Sequence, residues 1–135
     1  MSRWVHELHI APQFYDCDPM FVVWHGHYLK YFEQARAELL GSLNYGYRQM
    51  LESGYLWPIV DLRLKYVRSA KLLQPLTVRA EIVEYEHRLK LDYRITSEGE
   101  TLTRGYTVQV AVDAKTQELQ YVTPRVLWER LGVAP

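Results

Sequence analysis

The chain has 135 residues, enough for one domain with its own core. Its 16 basic and 16 acidic residues cancel, so bulk charge points to neither nucleic acid nor a membrane surface as partner. A single cysteine, Cys17, excludes an internal disulfide, and no stretch approaches the roughly 18 apolar residues of a membrane-spanning helix. The polar start, Met1 to Ile10, lacks the apolar run of a signal peptide, and the expectation is a cytoplasmic protein.

In chain order, Trp4 to Ile10 alternates partly and predicts a first strand. Ala11 to Val23 holds two prolines and two aspartates and reads as loop. From about Trp24 the period becomes helical. Tyr28, Tyr31, Phe32, Ala35, Leu39 and Leu43 form one stripe, with a bend or end expected near Gly41. A short helix is predicted over Tyr47 to Glu52, stopped by Gly54. The period then becomes two. Leu62, Leu64 and Tyr66 oppose Asp61, Arg63 and Lys65. Leu76, Val78, Ala80 and Ile82 oppose Thr77, Arg79 and Glu81. Leu89, Leu91, Tyr93 and Ile95 oppose Arg88, Lys90, Asp92 and Arg94. Tyr106, Val108, Val110 and Val112 oppose Thr107, Gln109 and Asp113. A last short strand is expected over Glu118 to Val122. Pro124 opens a predicted helix over Arg125 to Leu131.

One helical stripe and one apolar sheet face must bury each other. The predicted fold is therefore α+β: one long central helix wrapped by a curved antiparallel sheet of five to six strands, the hotdog architecture, as a single domain over 1–135. The densest chemistry falls in Tyr15-Asp16-Cys17-Asp18-Pro19 and Trp24-His25-Gly26-His27-Tyr28, at the junction of loop and helix. A helix N-terminus offers unpaired N–H groups to a growing oxyanion, and a carboxylate beside it can activate water or attack a carbonyl. By residue type alone, aspartates in such a loop more often cap a helix or close a turn. His25 and His27 lack further well-spaced ligands, so no metal site is expected. Cys17 has no evident base, and Glu33 with Arg36 reads as a surface ion pair.

Phe14-Tyr15-Asp16-Cys17-Asp18-Pro19, Val22-Val23-Trp24-His25 and Tyr28-Leu29-Lys30-Tyr31-Phe32-Glu33-Gln34-Ala35-Arg36 together resemble the signature of the 4-hydroxybenzoyl-CoA thioesterase family of hotdog proteins, and that of the related Tol–Pal-associated thioesterases. Val60 to Tyr66 and Ala70 resemble that family's second strand and its exit. The resemblance implies an acyl-CoA or acyl carrier protein thioesterase with Asp18 as the catalytic carboxylate and the His25 backbone N–H as oxyanion donor. His27 is a candidate third member, and Phe21, Trp24 and Tyr28 are expected to contact the substrate. Arg88 and Lys90 are the expected contacts of the CoA phosphates. No cofactor is implied beyond the CoA or phosphopantetheine of the substrate. The resemblance implies active sites formed between subunits of a homodimer, often paired into a homotetramer.

Two positions depart from the pattern. Phe21 stands where the family usually has glycine, so the loop is expected to run differently or Phe21 to fill part of the acyl pocket. His27 replaces the usual asparagine, either keeping a structural hydrogen bond or adding a titratable group beside Asp18. The alternatives to hydrolysis are a hotdog hydroxyacyl dehydratase, pairing His25 or His27 with Glu33, and a non-catalytic binding protein for acyl thioesters or a carrier protein. The segment Tyr45 to Trp57 lines either an acyl pocket or a dimer contact.

Overall fold

The computed structural model describes residues 3–135. β1 spans Val5–Ile10, and a single 3₁₀ turn covers Phe14–Asp16. α1 spans Tyr28–Ser42 and α2 Tyr47–Glu52. β2 covers Tyr55–Leu56, β3 Ile59–Tyr66, β4 Leu76–Glu84, β5 Leu89–Ser97 and β6 Glu100–Gln109. β7 covers Ala111–Asp113, β8 Leu119–Gln120, and α3 Arg125–Leu131 closes the fold.

The main sheet has five antiparallel strands in the order β1-β4-β5-β6-β3, and a small second sheet runs β2-β7-β8. The helical stripe behaves as its spacing predicts. Tyr28, Tyr31, Phe32, Ala35 and Leu39 are all buried and pack the helix into the sheet. Each large apolar side chain so buried contributes about 1.5–3 kcal/mol. The Phe32 ring stacks on Tyr93 of β5, with centroids 4.4 Å apart. Gly105 of β6 makes that approach possible. A Cβ there would lie 2.9 Å from the Phe32 ring and 2.2 Å from the Arg63 carbonyl. α1 ends at Ser42, one residue past Gly41, where the pattern predicted a bend or an end.

β6 corrects the expectation drawn from its alternation. The face turned to α1 carries Thr103, Gly105, Thr107 and Gln109, because these pair in register with Ile95, Tyr93, Leu91 and Leu89, which line the core. Tyr106 instead pairs with Asp92 and Arg63 on the outer face. Buried Thr107 is tolerated because its Oγ1 lies 2.6 Å from the Tyr93 hydroxyl. The regular pattern stops at Val110, where the chain leaves the main sheet for β7.

β3 is an edge strand. It pairs only with β6, and Ile59, Val60, Leu62 and Tyr66 stay exposed along it. The two ends of the main sheet differ in what they carry. At one end Ile10 pairs with Leu76 and Tyr66 with Thr103, next to the loop that leads into α1. At the other lie the β4–β5 turn, Gln109 and Ile59.

Candidate active site

The loop between β1 and α1 folds into a small hairpin. Cys17 bridges Val23 antiparallel, the Asp18 N–H donates to the Val22 carbonyl at 2.9 Å, and the Trp24 N–H donates to the Asp16 carbonyl at 3.0 Å. The three-residue tip is Pro19-Met20-Phe21, closed by the Phe21 N–H on the Asp18 carbonyl at 2.9 Å. Tips of this length turn back most easily when their last residue takes the left-handed conformation, which favours glycine. Phe21 takes it, at φ 64°. The loop therefore keeps the glycine shape with a phenylalanine in it. The Phe21 ring stays exposed and meets Phe14 edge-on at 6.4 Å. The hairpin is fastened from outside by the Val23 N–H on the Ala70 carbonyl at 2.8 Å and the Leu72 N–H on the Phe21 carbonyl at 3.1 Å.

This hairpin separates the two aspartates. Asp16 is buried: one oxygen accepts the Gln13 N–H at 2.8 Å, and the other lies 2.5 Å from His27 Nε2. Asp18 is half-buried at the tip, where Oδ1 accepts the Met20 N–H at 2.8 Å. Its Oδ2 has no hydrogen-bond partner among the described residues. Asp16 is thus a structural anchor, while Asp18 is an oriented carboxylate with a free oxygen.

The start of α1 supplies the donor. Residues 25–27 form a turn leading into the helix, with the His27 N–H on the Trp24 carbonyl at 2.8 Å. The exposed His25 has no acceptor for its N–H among the described residues. The helix dipole makes that group a favourable seat for negative charge. The Tyr66 hydroxyl holds the turn by donating to the His25 carbonyl at 2.5 Å. Tyr66 also meets Tyr28 edge-on at 5.2 Å. The sequence marked it only as the end of the Val60 to Tyr66 strand, and the pairing of β3 with β6 brings it here.

His27 does not face Asp18. Its ring is committed to Asp16 and lies edge-on to Tyr31 at 5.5 Å. Burial, and then the Asp16 carboxylate, push the Tyr31 hydroxyl up, so it stays protonated. Cys17 is likewise pushed up by desolvation and by Asp16 and Asp18, which keeps it a poor nucleophile. Trp24 is exposed with its ring 4.8 Å from that of His25. Tyr28 is buried, and its hydroxyl accepts the Ala70 N–H at 3.0 Å, so it braces the hairpin from the core.

The expected phosphate contacts lie elsewhere in the chain. Arg88 pairs with Glu84 at 3.0 Å, and Lys90 sits 4.5 Å over the Tyr106 ring. Both lie toward the β4–β5 turn, at the opposite end of the strands from Tyr66. Six residues of strand place them about 20 Å from the Asp18 end. Arg36 corrects the surface ion pair read for it. It is buried, with Nη1 on the Tyr93 hydroxyl at 3.2 Å and Nη2 on the Tyr47 hydroxyl at 3.4 Å, while Glu33 stays exposed 3.9 Å away. No contact among the described residues joins Glu33 to His25 or His27.

A five-stranded antiparallel sheet wrapped on one long helix defines the hotdog class. The chain belongs to the Thioesterase-like superfamily, whose family model matches residues 12–128. It is 30% identical over 133 residues to the "Putative esterase" of Synechocystis sp., covering 96% of this chain and 80% of that protein. It is 40% identical over 70 residues to the acyl-CoA thioesterase YbgC of Haemophilus influenzae, about half of each chain (51% and 52%). Among solved structures it is similar to the DHNA-CoA thioesterase of Staphylococcus aureus, with 27% identity and a TM-score of 0.78 over 87% of this chain and 80% of that one. Family and fold are those of thioester hydrolases.

Proposed function

We propose that the chain hydrolyses acyl thioesters carried on CoA or on the phosphopantetheine arm of a carrier protein, with Asp18 as the reacting carboxylate. One observation carries this reading: Asp18 is held through one oxygen by the Met20 N–H, its other oxygen is free, and the same hairpin leads into the unpaired His25 N–H. The free oxygen either takes a proton from an attacking water or attacks the thioester carbon itself. The carbonyl oxygen gains charge and is met by the His25 N–H, a donor of the kind worth about 2.7–4 kcal/mol in the transition state. The C–S bond then breaks, and the thiolate takes a proton that comes from water and leaves as a free thiol. By the water route the carboxylic acid is released directly. By the attack route the acyl group stays on Asp18 as an anhydride until a water hydrolyses it to the acid and restores the carboxylate. Acyl-CoA is the substrate named for the Haemophilus relative.

The reading includes a homodimer, joined through the free edges of two β3 strands. The exposed Ile59, Val60, Leu62 and Tyr66 along that edge support it, since an unpaired apolar edge is a template for strand pairing. Antiparallel pairing of two such edges brings the Arg88 end of one protomer toward the Asp18 end of its partner.

The test is thiol release from a panel of short, long and aromatic acyl-CoA and acyl carrier protein substrates. Asp18→Asn keeps the shape and removes the charge, and is expected to lower kcat by about 10²–10⁴-fold with secondary structure and oligomeric state unchanged. Near-normal turnover by Asp18→Asn removes Asp18 from the chemistry.

A further inference from the structure

The outer face of the main sheet carries a row of cations in direct register. Arg79 of β4 pairs with Arg94 of β5, Arg94 with Arg104 of β6, and Arg104 with Lys65 of β3. Like charges placed directly opposite on one sheet face destabilise it. Of these four, only Arg79 has a carboxylate within ion-pairing distance among the described residues, Glu81 at 2.8 Å. The row lines an open depression of about 510 Å³ that also holds Arg63, Glu81 and Asp92. Five cations against two carboxylates give this face a net +3 in a chain whose net charge is zero. Neither the fold nor the hydrolytic site requires such a row, so its stability cost points to an anionic partner.

The geometry narrows the partner. Neighbouring strands lie about 4.8 Å apart, so the row crosses four strands over about 14 Å. A helix rises 5.4 Å per turn, so one laid across the strands presents a side chain to each cation at nearly the same spacing. Glu81 and Asp92 sit opposite each other in the row alongside, which leaves the positive stripe one residue wide over β4 and β5. That suits a single file of carboxylates better than the broad phosphate surface of a duplex. A second copy meeting this face about a two-fold axis would set cations against cations.

We propose that the Arg79–Arg94–Arg104–Lys65 row is the docking surface for an acidic helix of a carrier protein that delivers the acyl thioester. The proposal rests on the thioester hydrolase reading and adds to it the macromolecule that presents the substrate. Lys65 is adjacent in sequence to Tyr66, which holds the His25 turn from the other side of the sheet. The docked carrier thus lies at the same end of the sheet as the active site.

The experiment compares thiol release from one acyl group loaded on a purified acidic acyl carrier protein and on CoA, in the wild type and in Arg94→Glu/Arg104→Glu. The variant is expected to lose about tenfold or more in kcat/KM on the carrier protein, together with its salt dependence, and to keep its rate on acyl-CoA. Its melting temperature should not fall, because three like-charge neighbours along the row become one, with Arg79 and Lys65 each facing a reversed charge. Equal rates of the two enzymes on the carrier protein overturn the proposal. A parallel loss on acyl-CoA overturns it in favour of a nucleotide site, and a changed oligomeric state by light scattering in favour of a contact between copies. Wild-type binding to a DNA duplex as tight as to the carrier protein also overturns it. Calorimetric titration with the holo carrier protein separates the two readings. If the wild type hydrolyses neither substrate yet binds the carrier through these arginines, the docking surface stands and the hydrolase reading fails.

Discussion

His27 Nε2 and Asp16 Oδ1 meet at 2.5 Å beneath the hairpin that carries Asp18, with both side chains largely buried. The contact fixes the start of α1 to the foot of the loop that carries Asp18. A histidine at this position therefore acts as a brace between the loop and the helix.

Removing the brace exposes its role. His27→Ala leaves the buried Asp16 carboxylate with the Gln13 N–H alone. The expected cost is about 1–3 kcal/mol of stability, read from urea denaturation. His27→Asn restores a donor and should recover part of that loss, along with most of the thiol release. Equal stability of His27→Ala and the wild type would show that the pair does not hold the loop.

Phe21 at φ 64° stores backbone strain at the hairpin tip. Phe21→Gly and Phe21→Ala both lose the ring and its contact with Phe14. They differ in whether the left-handed conformation carries a Cβ, so Phe21→Gly should be more stable than Phe21→Ala by about 1 kcal/mol. Identical denaturation midpoints for the two variants would mean that the tip relaxes out of this conformation.

The edge of β3 is open to test by charge. Leu62 is exposed there, and a lysine on an exposed edge strand opposes pairing with another edge. Leu62→Lys is expected to run as a monomer in light scattering while keeping its circular dichroism. Its thiol release should fall at least about tenfold if the second copy completes the site. A Leu62→Lys protein that remains dimeric places the contact elsewhere.

Asp113 gives a pH dependence with a definite sign. Its Oδ1 accepts the Lys115 and Thr116 N–H groups at 2.8 and 2.9 Å, which holds its carboxyl below the ordinary 3.8. A depressed folded pKa stabilises the fold above the unfolded value, and the contribution is lost as pH falls through the folded one. Asp113→Asn should therefore melt below the wild type at neutral pH, with the gap closing below about 3.8. A gap that is constant from neutral to strongly acidic pH assigns the difference to something other than the charge.

The sequence by itself determined the elements and the place of the candidate carboxylate Asp18 among them. The stripe from Tyr28 to Leu39 and the alternation of β3, β4 and β5 are local periodicities, set by which side of a helix or strand must leave water, and they predicted the helix buried in the sheet. The motif around Asp18 marked the loop, and Phe21 and His27 as the positions that depart from the family pattern. What the tertiary structure decided depends on contacts between distant segments. The inward face of β6 is polar in sequence, and only its register with Leu91 and Tyr93 shows that Thr107 and Gly105 face the core. The roles of Asp16 and Asp18 cannot be told apart from their side chains. They separate because the hairpin buries one against His27 and leaves one oxygen of the other free. Tyr66 was legible only as the end of a strand, and Arg79, Arg94, Arg104 and Lys65 lie on four different strands; strand pairing alone sets Tyr66 beside the turn and the four cations beside each other.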